Sequence, residues 1–192
     1  MSIIEEIEKY AKENDIPIMQ KEGIEFLTNY IKENNIKTIL EIGTAIGYSA
    51  IKMALGDPKI KVVTIEKDEK MYQEAIKNIS DFGLDKRITV IYADALNINI
   101  EEKFNMIFID GAKGQYIKFF EKYQNNLKRK GVIVTDNMNF YGLVKRKDPI
   151  LSKSLNSLVN KIRDYRNFLE KNPNFTTKFY DVGDGIAISI KK

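Results

Sequence analysis

Oxygen-bearing side chains have to carry whatever chemistry this chain performs, because its 192 residues include no cysteine and no histidine. Thiolate nucleophiles, disulfides and Fe–S clusters are excluded, as is every Ser-His-Asp arrangement. A metal ion must be held by carboxylates, amides or carbonyls, which selects Mg²⁺, Ca²⁺ or Mn²⁺. A general base must be Lys, Asp, Glu or Tyr. Three residues stand out: Asp110 in FIDGAKGQY, and Asp136 with Asn137 in GVIVTDNMNFYG. Each follows a short apolar run rich in β-branched residues, the pattern of a strand covered on both faces. Singly, Asp and Asn at such places are ordinary turn formers. Gathered at the ends of neighbouring strands, two carboxylates and an amide suit a hard cation that keeps open or water-filled positions.

The elements that must position them alternate. Strands are predicted at 37–42, 61–66, 88–92, 104–110 and 131–136, with helices at 48–55, 69–80 and 114–127 between them. This alternation implies right-handed crossovers and a doubly wound α/β sheet. Tyr116, Phe119, Phe120 and Tyr123 recur at helical spacing and are expected to pack on that sheet. Two helices, near 2–13 and 20–34 around Pro17, precede the first strand, and a basic helix near 152–170 follows the fifth. FTTKFYDV and GIAISIKK, joined through Gly183-Asp184-Gly185, predict a final hairpin. The longest irregular connection covers 138–151. No linker or repeat interrupts the chain, so one domain over 1–192 is expected, with helices in 1–35 and the core in 36–192. No apolar run approaches the roughly 18 residues of a membrane span, and the first residues do not form a signal peptide. A cytoplasmic protein without membrane contact is expected.

In such a sheet, ligands sit beyond the C-terminal strand ends. The first strand leads into Glu41-Ile42-Gly43-Thr44-Ala45-Ile46-Gly47-Tyr48-Ser49. Its G-x-x-x-G spacing differs from the G-x-G-x-x-G of a pyrophosphate-binding loop. The Glu41 carboxylate beside it repels pyrophosphate but suits the cationic methionine end of S-adenosylmethionine. Glu66, ending the second strand, can accept from a ribose diol, and Asp94-Ala95, after the third, can meet an adenine amino group.

With these residues in place, the chain resembles the Mg²⁺-dependent O-methyltransferases, the group that contains the catechol and caffeoyl-CoA enzymes, from about Pro17 to the C-terminus. Within the group, IPIMQKEG, EIGTAIGYSAIKMA, FIDGAKGQY and TDNMNFYG are most similar to the bacterial tRNA 5-hydroxyuridine methyltransferases. The resemblance implies a Rossmann-like class I methyltransferase fold: a seven-stranded, mostly parallel sheet with a C-terminal antiparallel hairpin. It implies S-adenosylmethionine contacts at Met19, Gly43, Ser49, Glu66, Asp94, Ala95 and Asp110. It implies Mg²⁺, or Mn²⁺ in its place, at Asp110, Asp136 and Asn137, and a homodimer. Lys113, three residues beyond Asp110, falls where the catechol enzymes carry a catalytic lysine, and Asp110 shares that catalytic centre. The catechol enzymes' aromatic gatekeepers are not evident here, which argues against a flat phenolic acceptor.

On that resemblance, the acceptor is the 5-hydroxyl of a wobble 5-hydroxyuridine, with small catechol-like or other vicinal-diol compounds as the alternative. The net charge of +4 is unevenly spread: residues 118–166 hold twelve Lys and Arg against four acidic residues. A basic segment over 128–166 could meet the phosphates of a tRNA anticodon loop. Its members are Lys128, Arg129, Lys130, Lys145, Arg146, Lys147, Lys153, Lys161, Arg163 and Arg166. Phe140 and Tyr141 could stack on a splayed base. The same lysines also fit a solvated surface, and Phe140 equally fits a core position.

Overall fold

The computed structural model describes residues 2–146, 148 and 152–192. Lys147 and part of the 138–151 connection therefore lie outside the described residues. Helices α1 (Ile3–Glu13) and α2 (Lys21–Glu33) lead into β1 (Thr38–Ile42), α3 (Tyr48–Leu55), β2 (Lys61–Glu66), α4 (Glu69–Asp81), β3 (Ile88–Tyr92) and β4 (Phe104–Ile109). Then come α5 (Tyr116–Tyr123), β5 (Leu127–Thr135), α6 (Lys153–Lys171), β6 (Phe175–Tyr180) and β7 (Ile186–Lys191). Single 3₁₀ turns flank α5, at Lys113–Gln115 and Gln124–Asn126. Local signals set the helix starts: Ser2 and Glu5 form a capping box on α1, and Asp68 and Ser152 cap α4 and α6.

The seven strands form one sheet in the order β3-β2-β1-β4-β5-β7-β6. The first five are parallel, and β7 inserts antiparallel between β5 and β6. Strand alternation divides the core between the two faces. Ile39, Met106, Phe108, Val132 and Val134 face the layer of α1 to α4. Leu40, Ile107, Ile109 and Ile133 face Phe119, Phe120, Tyr123 and Tyr165. The aromatic stripe is thus core, as its spacing predicts. No helix among the described residues is long and apolar enough to cross a membrane.

The strand order reverses between β1 and β4, a topological switch point where α/β sheets open a ligand crevice. β5 begins earlier than its apolar run suggests. Leu127 pairs with Phe104 before a register shift, so Lys128, Arg129 and Lys130 are strand residues.

Candidate active site

Four strand ends, those of β2, β1, β4 and β5, are knitted together at the switch point. The Gly43 N–H donates to the Ile65 carbonyl, that of Asp110 to Ile42, and that of Asp136 to Ile109, at 3.0, 3.0 and 3.3 Å. Gly43 has φ +98°, and a Cβ there would lie 2.7 Å from the Asp110 carbonyl oxygen. Glycine is therefore what lets the β1 and β4 ends close on each other. Around them opens a cleft with about 270 Å³ of solvent-accessible volume.

One half of the cleft carries the residues expected to hold the cofactor: Met19, Gly43, Ser49, Glu66, Asp94 and Ala95 all line it. Glu66 is fixed by three backbone donors, the N–H groups of Ala45, Lys67 and Asp68 at 2.8, 2.9 and 2.9 Å. Those bonds aim its carboxylate and tie the glycine loop to β2. Asp94 accepts from the Leu96 N–H, and Tyr123 donates to the Ala95 carbonyl at 2.6 Å, so the β3 loop is pinned from beneath.

Glu41 departs from the sequence reading. It does not face the cleft but is fully buried behind it. Ser49 donates to one carboxylate oxygen at 2.5 Å and Thr64 to the other at 2.6 Å, with Thr44 2.6 Å from Thr64. Burial pushes its carboxyl up to about 7 against the pull of those two donors. A carboxylate on the core side of a strand end meets hydroxyls rather than ligand, so Glu41 reaches the cleft through Ser49 and, by way of Thr64, through Thr44.

The other half holds Asp110, Asp136 and Asn137, together with Lys113. Burial, and next the Asp136 charge, hold the Asp110 carboxyl well above its ordinary value. Burial lifts Asp136 to about 6, while the Lys113 charge pulls both down. Asp136 is 2% exposed, and its Oδ1 has no hydrogen-bond partner. A buried acceptor left unmatched is costly. With two carboxylates on adjacent strand ends, it describes a place where a cation would supply what the protein does not. The donor set is two carboxylates and an amide; among the described residues no group of three acidic side chains gathers at metal distance. The residues present therefore fit a hard divalent ion.

At the mouth, Lys113 lies with its Nζ 5.8 Å from the Phe140 ring centre. Tyr141 lines the cleft and is 71% exposed. An aromatic side chain thus stands at this end of the cleft, at one of the two positions, Phe140 and Tyr141, that the sequence places beside the Asp136–Asn137 loop. Asp184, read there only as part of a turn, lies behind this half: it is buried, and its charge raises Asp110 and Asp136.

The basic segment divides in space. Lys128, Arg129 and Lys130 begin β5, at the end of the sheet opposite the site, where Lys128 donates to Thr38. Arg163 donates to the carbonyls of Leu143, Val144 and Arg146 and so braces the loop after the site. Lys145 pairs with Asp181 at 2.8 Å, and Arg166 packs over the Phe179 ring. Lys161 reaches Gly114, beside Lys113.

A family model described as O-methyltransferase matches residues 1–192. The caffeoyl-CoA O-methyltransferase of Populus kitakamiensis is 28% identical over 189 residues, 94% of this chain and 80% of that protein. A Staphylococcus aureus structure, provisionally described as a caffeoyl-CoA O-methyltransferase, is 39% identical with a TM-score of 0.94 over 100% of this chain and 93% of the other. The O-methyltransferase of Bacillus cereus in complex with SAH is 27% identical, with a TM-score of 0.82 over 100% of this chain and 91% of that one.

Proposed function

This chain belongs to the O-methyltransferase family, and on that premise we propose that it methylates one of two adjacent oxygens on a small catechol-like acceptor, with Mg²⁺ at Asp110, Asp136 and Asn137. The observation that carries the reading is the Asp110–Asp136 carboxylate pair on adjacent strand ends, with the unmatched Oδ1 of buried Asp136, in the cofactor cleft. Two vicinal oxygens are what a hard ion with open positions chelates. The name of the Populus relative supports the acceptor class, since a caffeoyl ring carries two adjacent hydroxyls.

The protein's own part is binding, orientation and charge. Met19, Gly43, Ser49, Glu66, Asp94 and Ala95 hold S-adenosylmethionine so that its methyl faces the Asp110 end. S-adenosylmethionine supplies an electrophilic methyl group. Mg²⁺, when bound, lowers the pKa of a hydroxyl it contacts, which for a phenol starts at about 10. Asp110 and Asp136 hold the ion by charge, and Asn137 by its amide oxygen. Lys113 stands beside both carboxylates, placed to stabilise the oxyanion as a cation or, in its neutral form, to take the acceptor proton. Tyr141 offers a ring face to a flat acceptor. Holding the acceptor oxygen in line with the methyl supplies a gain on the order of several kcal/mol.

A second reading, 5-hydroxyuridine in a tRNA anticodon loop, presents the same vicinal oxygens as O5 and O4. Exposed Tyr141, with Lys113 and Lys161 beside the mouth, favours it. Labelled S-adenosylmethionine separates these readings when offered with catechol, with a phenol bearing one hydroxyl, and with tRNA containing 5-hydroxyuridine. The expected result is transfer to catechol and none to the phenol, abolished by EDTA and restored by Mg²⁺ or Mn²⁺. Methoxyuridine formed faster than methylated catechol would install the tRNA reading. Turnover undiminished after exhaustive chelation would remove the metal.

A further inference from the structure

One buried acid holds the ion-binding loop from behind without lining the cleft. Asp184 lies in the β6–β7 turn and is 5% exposed. Its Oδ1 accepts the Tyr141 N–H at 2.5 Å, and its Oδ2 accepts from Asn137 Nδ2 at 3.3 Å. That Nδ2 is equally 3.3 Å from Asp136 Oδ2. The turn's backbone grips the same loop. The Asn139 N–H donates to the Asp184 carbonyl at 2.8 Å and that of Met138 to Gly185 at 2.9 Å. A Cβ on Gly185, at φ +84°, would meet Asn139 at 2.7 Å, so only glycine permits this approach. Asn137, Phe140 and Tyr141 all have left-handed backbones, with φ of 58°, 44° and 53°. Such conformations persist at non-glycine residues only where the surroundings impose them.

An ionised carboxylate can only accept hydrogen bonds, whereas an amide has one accepting and one donating end. Facing Asp184, Asn137 must turn its nitrogen inward, which leaves its oxygen for a cation. We propose that Asp184 is a positioning residue: it fixes the Asn137 amide with its oxygen toward the ion and, through the Tyr141 N–H, ties the acceptor's aromatic wall to the same point. The inference rests on the metal reading above, and adds to it a residue that touches neither ion nor cofactor.

Asp184→Asn is the direct test. It keeps an acceptor for Tyr141 but confronts the Asn137 nitrogen with a second nitrogen, so one amide has to turn over. Mn²⁺ is the probe, its free concentration read by electron paramagnetic resonance with SAH present and no acceptor. SAH affinity is measured by calorimetry alongside. The variant should bind Mn²⁺ at least tenfold more weakly, with SAH affinity within twofold of wild type. In an Asn137→Ala background the same change should add less than twofold, because the amide it orients is gone. Asp184→Ala, which removes both acceptors without adding a donor, should follow the same pattern and serves if the Asn variant does not fold. Mn²⁺ affinity within twofold of wild type overturns the proposal. So does equal weakening in both backgrounds, which would be a bare charge effect. Failure of the wild-type protein itself to bind Mn²⁺ would instead bring down the metal reading, and this inference with it.

Discussion

Replacing Glu41 by Gln should abolish a pH dependence of stability that wild type carries. Glu41 is fully buried, and its carboxyl sits near 7 rather than at its ordinary 4.5. Unfolding returns it to water and to the lower value. The folded state therefore binds a proton more tightly than the unfolded one across that interval. The stabilisation this gives is complete below pH 4.5, declines as pH rises, and is gone once pH passes about 7. A shift of this size, at about 1.4 kcal/mol per pH unit, amounts to about 3 kcal/mol. Gln is shaped like the protonated acid, and Ser49 and Thr64 can each turn to accept from its amide. The variant should therefore match wild type near pH 5 and exceed it by about 3 kcal/mol at pH 8. For a chain of this length that is on the order of 6–12 °C in Tm.

The assay is urea unfolding of both proteins, without cofactor, from pH 4.5 to 8.5. The quantity read is the difference between the two stability curves. Subtraction matters because burial also raises Asp110, Asp136 and Asp184, while Asp57 and Asp181 are lowered by their lysine partners. Those contributions are common to both proteins and largely cancel. A difference curve that is flat, or that falls with pH, would refute the reasoning, because it would mean the Ser49 and Thr64 hydroxyls already solvate the carboxylate as well as water does.

Three further perturbations test other parts of the site. Gly43→Ala places a methyl 2.7 Å from the Asp110 carbonyl at φ +98°; it should cost roughly 1–3 kcal/mol in urea unfolding and weaken SAH binding at least tenfold by calorimetry. Arg163→Met keeps the stem but removes donors to three loop carbonyls. Stability should fall by about 1–3 kcal/mol with SAH affinity unchanged, and an unchanged denaturation midpoint would deny the bracing role. Lys113→Met should lower kcat at least tenfold while leaving SAH affinity within twofold; a methylation rate within twofold of wild type ends the case for Lys113 as base or oxyanion partner.

Much of the frame was legible because parallel strands buried on both faces announce themselves as short apolar runs. All five were placed within a residue or two at the ends that matter, their C-termini. Asp110, Asp136 and Asn137 follow from that placement, since functional groups in such sheets sit at those ends. The N-terminal boundary of β5 was not legible. Leu127–Lys130 reads as polar, yet Leu127 pairs with Phe104 across a register shift that no local pattern encodes. Glu41 was placed on the wrong side of its strand end for a related reason. The sequence says an acid precedes the loop, but not that Ser49 and Thr64, 8 and 23 residues away, converge on it.

Linear proximity misled most in the basic segment, and the cause is geometric. At about 3.3 Å per residue, a nine-residue strand separates its ends by on the order of 25 Å. Lys128–Lys130 at the start of β5 are thus carried away from Asp136, just past its end, although few residues intervene. The reverse holds for Asp184, 47 residues from Asn137 in sequence. β7 enters the sheet antiparallel beside β5, pairing Ala187 with Thr135. The residues just before β7 must then lie against those just after β5. The turn that looks like a plain hairpin signal is delivered to the loop that carries Asn137 by strand order alone. The contest between a small acceptor and an RNA therefore turns on cations that the fold places near the cleft, Lys113 and Lys161 among them, rather than on the charge summed along the chain. Loss of both should flatten the salt dependence of tRNA binding if RNA is the acceptor, and leave catechol affinity nearly untouched if it is not.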